Sequence, residues 1–266
     1  MKRMYVWATL LLSFGLCSLS LTSCGDDDDD VLTEVTVPDN GDDNNPDSDG
    51  DGNGNGDGEG DGKEDDDDGK PDLNVHETVD LGLSVKWAAC NVGANIPEEY
   101  GGYYAWGETE EKDYYDWSTY KYYQGSKNTL TKYCTNSYCG TVDNKTVLDP
   151  EDDVAHVKWG GSWRMPTSSE INELLNKCSW TWTTQNGVYG YVVTSRSNGN
   201  SIFLPAAGGR WDEGVSNSGL SGYYWSASLR EGYGGSYACC LDLYSRRWYL
   251  NYYSRCTGFS VRPVTE

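Results

Sequence analysis

Residues 25–72 contribute almost nothing to a hydrophobic core, and that confines any fold to the chain that follows. The segment is Asp, Gly, Asn and Glu with almost no large apolar side chains, and its 21 acidic residues face only Lys63 and Lys70. It therefore carries about −19 of the formal net charge of −22. Such a segment repels itself and buries nothing, so an extended, disordered tether is expected. Asp47-Ser48-Asp49-Gly50-Asp51-Gly52 matches the first half of a calcium loop, but the position of the closing bidentate Glu is Gly58. Frames starting at Asp49 and Asp51 also end on Gly, so no structured calcium site is expected.

Ahead of the tether, residues 1–23 have the layout of an export signal. Lys2 and Arg3 precede an apolar run through Leu10, Leu11, Leu12, Phe14 and Leu16, broken by Ser and Gly and ending at small residues. Those features suit a cleaved signal better than a membrane span. Leu21-Thr22-Ser23-Cys24 resembles the lipobox of bacterial lipoproteins, which implies lipidation of Cys24 and attachment to a membrane through acyl chains. Gly25 and the run Asp26 to Asp30 resemble the surface-export signal of lipoproteins in the Bacteroides group, implying an outer-membrane protein that faces the medium.

At about residue 73 the composition changes abruptly. The 194 residues of 73–266 hold ten of the 11 Trp and 20 of the 21 Tyr, with 21 acids against 16 bases. This length suffices for a core burying roughly 70% of the unfolded surface. One helix is legible: Thr167 and Glu170 are spaced as a capping box, and Ile171, Leu174, Leu175 and Cys178 follow as an apolar stripe. Short strands are expected at 85–89, 103–106, 188–194, 201–205, 223–228, 238–244, 247–253 and 259–263. The expected class is α+β, with short, mostly antiparallel strands, few helices and much loop.

Several ordered motifs across residues 76–264 carry a resemblance. Val79-Asp80-Leu81-Gly82-Leu83-Ser84-Val85-Lys86-Trp87-Ala88 comes first, then Tyr104-Ala105-Trp106-Gly107-Glu108-Thr109 and Asp152-Asp153-Val154-Ala155. Gly160-Gly161-Ser162-Trp163-Arg164-Met165-Pro166-Thr167, Phe203-Leu204-Pro205-Ala206-Ala207-Gly208, Tyr224-Trp225-Ser226 and Ser260-Val261-Arg262-Pro263-Val264 complete the series. Together they resemble the Fibrobacter succinogenes major paralogous domain, a family abundant in Bacteroides and Fibrobacter. The resemblance implies a C-type-lectin-like fold.

Residues 229–258 follow a rule of their own. Ala238, Leu241, Leu243, Trp248 and Leu250 form a regular frame, in which 241/243 and 248/250 alternate as the inward faces of two strands. Apart from Glu231, the residues between them are all types encoded by codons ending in C or T, and Lys, Gln and Met are absent. That is the mark left when the adenines of Asn codons are randomised. It resembles the variable region of target proteins of diversity-generating retroelements, here spanning about 225–262. A non-diversified member with Tyr- and Arg-rich surface strands is the alternative.

The frame residues Leu241, Leu243, Trp248 and Leu250 are expected to be buried. Asp242, Tyr244, Tyr249, Asn251 and Tyr253 should then share an exposed face, with Arg230, Tyr233, Arg246 and Arg247 on loops at its border. With Tyr237 and Tyr252 these make up the expected ligand-binding set, because Tyr and Arg offer large contact area with few rotatable bonds.

Other chemistry finds little support. His76 and His156 have no zinc spacing, and there is no nucleophile elbow, phosphate loop or basic stripe. Seven cysteines remain after Cys17 and Cys24; Cys134 and Cys139 have a spacing that suits a loop disulfide, while Cys239, Cys240 and Cys256 fall at variable positions. The Cys134–Cys139 spacing also resembles the copper-binding pair of formylglycine-generating enzymes, but in that family the pair lies near the C-terminus beside motifs absent here. The expectation is a non-enzymatic binding protein needing no cofactor, directed at a protein or glycan on another cell, phage or host and not at nucleic acid. The alternative is an adhesive, structural or glycan-binding envelope component.

Overall fold

The computed structural model describes residues 76–126 and 128–266. The signal segment, Cys24, the tether and the Asp47 motif lie outside the described residues. Eleven strands and two helices follow one another as β1 (Thr78–Val79), β2 (Lys86–Ala88), α1 (Val154–Trp159), α2 (Ser168–Lys177), β3 (Cys178–Gln185), β4 (Val188–Ser195), β5 (Ser201–Pro205), β6 (Gly209–Trp211), β7 (Gly214–Ser216), β8 (Ser221–Leu229), β9 (Tyr237–Tyr244), β10 (Arg247–Ser254) and β11 (Val264–Thr265). All strand pairs between these elements are antiparallel. The class is α+β with much loop, as the sequence suggested.

Local rules explain the helices. Thr167 and Glu170 form the capping box at the start of α2, and Ile171 and Leu174 turn inward. The Cys178 thiol is buried, but its residue caps α2 and opens β3 instead of extending the helix. Helix α1, which shows no long apolar periodicity, starts where the Asp153 carboxylate accepts from the N–H groups of Ala155 and His156. Two expected strands do not form. Tyr104 makes one bridge to Phe259, Ser260 one to Tyr224, and pairing resumes only at β11.

The sheet β10–β9–β8 organises the molecule. Register places Leu241 opposite Leu250 and Leu243 opposite Trp248, so these side chains share one face with Tyr224. That face enters a core with Ile171 and Leu174 of α2 and Tyr191, Val193, Ile202 and Leu204 of β4 and β5. Ala238, Cys240, Tyr223 and Trp225 point the other way, into a second core with Trp106, Tyr120, Tyr133 and Phe259. Strands β8 and β9 are therefore covered on both faces, while β10 is an edge.

Residues 255–265 are buried throughout although little of the segment is strand. Two arginines hold it. Arg255 donates to the Tyr120 hydroxyl at 2.8 Å and to the carbonyls of Gly235, Tyr133 and Lys132 at 2.7, 3.2 and 3.2 Å. Its guanidinium lies 4.9–5.7 Å from the ring centroids of Trp106, Tyr120, Tyr122 and Tyr133. Arg262 donates to Asn91 Oδ1 and to the carbonyls of Ala88, Ala89 and Phe203. Carbonyl dipoles replace water around both charges, joined by aromatic faces at Arg255 and by the Asn91 amide oxygen at Arg262, without a carboxylate partner among the described residues.

Candidate binding surface

The expected binding residues divide into two clusters, because alternation along β9 and β10 sends them to opposite faces. Tyr237 and Tyr252 lie on the same face as the Leu241 frame, beyond the end of its core. Arg230 and Tyr233 reach them from the connection between β8 and β9. The Tyr233 and Tyr252 ring centroids are 5.1 Å apart, and Tyr237 meets them edge-on at 5.7 and 5.8 Å. Arg230 lies over Tyr252 and Tyr233 at 5.0 and 5.6 Å. Arg230 and Tyr233 are exposed, Tyr237 and Tyr252 half-buried.

The second cluster comprises Asp242, Tyr244, Arg247, Tyr249, Asn251 and Tyr253, with Arg246 in the turn. They do share one face, but that face is not open to solvent along its length. Asp242 is fully buried, Tyr244, Asn251 and Tyr253 are half-buried, and Arg246, Arg247 and Tyr249 stay exposed. Tyr244 and Tyr253 pack against the second core, where Tyr253 meets Tyr223 and Phe259 edge-on at 5.5 and 5.2 Å. The expectation of a fully exposed face is thus corrected, since β9 is a central strand with a core on each side. Arg247 opens β10 instead of sitting in a loop.

The frame departs from expectation at its edge. Leu241 and Leu243 are buried, whereas Leu250 is half-buried and Trp248 is 36% exposed. Trp248 stacks on Trp180 at 5.8 Å and meets Tyr191 edge-on at 5.4 Å, closing the core as a lid on the edge strand.

Asp242 is the polar centre of the second cluster. Its Oδ2 accepts from Asn251 Nδ2 at 2.9 Å and from the Tyr253 hydroxyl at 3.1 Å, while Oδ1 has no hydrogen-bond partner. Burial raises its pKa, against the pull of the donors from Asn251, Tyr253, Tyr249 and Tyr244. At the outer end, Tyr244, Ser245, Arg246, Arg247 and Tyr249 line an open depression of about 350 Å³. Two phenols, two guanidiniums and the Ser245 hydroxyl there offer hydrogen-bond donors and aromatic faces.

A larger cleft, of about 440 Å³, lies at the start of β9 and the end of β10. Trp117, Tyr123, Asn128, Leu130, Tyr138, Cys139, Ser236, Tyr237 and Ser254 line it. Only Tyr237 belongs to the expected set. The others come mainly from the long segment between Gly107 and Asp149, whose irregular backbone carries no periodic signal.

Cys134 and Cys139 are free thiols here, as are Cys90, Cys178, Cys239, Cys240 and Cys256. Among the described residues, one group of carboxylates lies close enough to share a cation: Asp149, Glu151 and Asp152. Lys132 Nζ already occupies that position, at 2.7, 3.2 and 2.5 Å from the three. Lys145 also binds Asp149, and Lys121 binds Asp152 at 2.9 Å. The ammonium groups hold the Asp152 carboxyl well below the usual carboxylate range despite its burial. His156 Nδ1 lies 3.3 Å from the Trp163 carbonyl, and the His76 ring stacks on Trp159 at 3.6 Å, both structural roles.

Comparisons with protein-family models, with curated proteins and with solved structures found no match.

Proposed function

We propose that this chain is a surface lipoprotein of the Bacteroides type. In this reading Cys24 carries the anchor, 25–72 is the tether, and a C-type-lectin-like domain of the Fibrobacter major paralogous family presents a retroelement-diversified binding surface. One observation supports the reading: in 229–258 the frame residues Ala238, Leu241 and Leu243 are buried, with Leu250 half-buried and Trp248 at the exposed edge, whereas Arg230, Tyr233, Arg246, Arg247 and Tyr249 are exposed. Residues of the randomisable type thus dominate the exposed turn and connection of this sheet, although Cys239, Cys240 and Asp242 are buried. Exposed Tyr and Arg are suited to contacting a macromolecular ligand, as in antibody paratopes.

The surface in this proposal is smaller than alternation alone suggests. It comprises the β9–β10 turn with Arg246, Arg247 and Tyr249, and the Arg230–Tyr233–Tyr252 cluster. Asp242, Tyr244 and Tyr253 support it from below. The DNA flanking the gene provides the test. A reverse-transcriptase gene and a near-copy of the codons for 225–262, differing at adenines of the template, are expected. A flank lacking both overturns the diversification. Incorporation of labelled palmitate into the wild type and not into Cys24→Ala tests the anchor separately.

A further inference from the structure

We propose that the cleft between Trp117 and Tyr237 binds a neutral saccharide. Its volume of about 440 Å³ falls within the range of small-ligand sites. Trp117, Tyr123, Tyr138 and Tyr237 supply aromatic side chains, and Asn128, Ser236 and Ser254 supply an amide and two hydroxyls. Aromatic rings are electron-rich on their faces and attract the weakly positive C–H face of a pyranose. The amide and the hydroxyls can both donate and accept, which matches the hydroxyl edge of a sugar.

Charge narrows the class of ligand. None of the nine described residues lining the cleft is charged, so no side chain among them offers an anionic ligand a counter-ion. The Arg255 guanidinium is buried in the adjacent core and donates to the Gly235 carbonyl at 2.7 Å beside Ser236, so it adds positive charge on that side of the cleft. The described lining suits a neutral ligand with apolar faces and polar edges.

The walls are held in place before any ligand arrives. Trp117 opens a 3₁₀ turn, Trp117–Thr119, that Asp116 caps, and its ring packs edge-on against Tyr120 at 5.5 Å. Leu130 N–H donates to the Cys139 carbonyl at 2.9 Å, and Thr141 N–H to the Leu130 carbonyl at 2.8 Å. Gly235, at φ +113°, lies so close that a Cβ there would be 2.6 Å from the Tyr133 carbonyl oxygen. Such preorganisation lowers the ordering cost of binding. Tyr138, 81% exposed at the mouth, spends its ring on no described aromatic partner. Tyr237 joins the cleft to the Arg230–Tyr233–Tyr252 cluster, so a glycan chain leaving the cleft would run onto that surface.

The site stands independently of the diversified reading, and one titration tests it. Maltotriose, cellotriose, lactose and chitotriose are each added to the full chain while tryptophan fluorescence is followed, with glucuronate and glucosamine as charged controls. At least one neutral sugar should give a saturable change, with neither control doing so. Tyr138→Ala and Asn128→Ala, both at exposed positions, should weaken that binding by about tenfold or more without moving the melting temperature. Tyr189→Ala, exposed and outside both the cleft and the strand face of Tyr249, should leave it unchanged. No saturation with any of the four sugars overturns the proposal, and so does binding that survives both cleft variants. Loss on Tyr249→Ala alone would move the sugar to the strand face and also overturns it.

Discussion

The Tyr253 hydroxyl donates to Asp242 Oδ2 at 3.1 Å, on the very face of β9 and β10 expected to be open to solvent. The carboxylate beneath is fully buried and keeps Oδ1 unpaired. Its pKa is raised, so its contribution to stability is present at low pH and is lost as pH rises through the folded-state value. Asp242→Asn removes the charge and keeps an oxygen for Asn251 and Tyr253. The variant should melt above the wild type at pH 7, and the gap should close toward pH 4. Calorimetry at the two pH values checks the sign.

Arg255 presents the opposite case, a buried charge with its donors matched. Lysine cannot reproduce the planar fork that reaches Tyr120, Gly235, Tyr133 and Lys132 at once. Arg255→Lys should therefore cost about 2–4 kcal/mol, measurable as a lower urea midpoint. An unchanged midpoint would mean that the aromatic cage alone carries the stabilisation.

Asp152 should dominate an acid-labile part of the stability. Its pKa is depressed by Lys132, the tyrosine hydroxyls and Lys121, so the contribution is present above the unfolded-state value near 4 and fades as pH falls below it. Asp152→Asn should lose about 2 kcal/mol at pH 7, and the difference from wild type should narrow by pH 3. Urea unfolding at both pH values reads this directly.

Exposure should sort the variable stretch into tolerant and intolerant positions. Arg246→Ser, Arg247→Ser and Tyr249→Ser, at exposed positions, should change stability by no more than about 0.5 kcal/mol. Leu241→Ala and Leu243→Ala, in the core, should cost about 2–5 kcal/mol. Tyr253→Ser should fall between them, because its ring packs on Phe259. Thermal denaturation of the six variants separates these classes.

Much of the local structure is determined by the chain itself. The Thr167–Glu170 capping box starts α2, and the runs at 188–194, 201–205, 223–228, 238–244 and 247–253 all became strands, because capping and alternation depend only on near neighbours. Alternation also assigned Leu241, Leu243 and Asp242 to their sides of β9. Which of those sides meets water is a different quantity. It depends on Tyr223, Trp225 and Phe259 packing over the face of Tyr253, and on α2 and β4 covering the other. Those contacts join residues far apart in sequence, and no short window encodes them. The same holds for Arg255 and Arg262, polar letters that only the assembled carbonyls and rings can keep out of water. The cleft of Trp117, Tyr138 and Tyr237 likewise exists only once an irregular segment folds against the ends of β9 and β10, because concavity belongs to the packed chain.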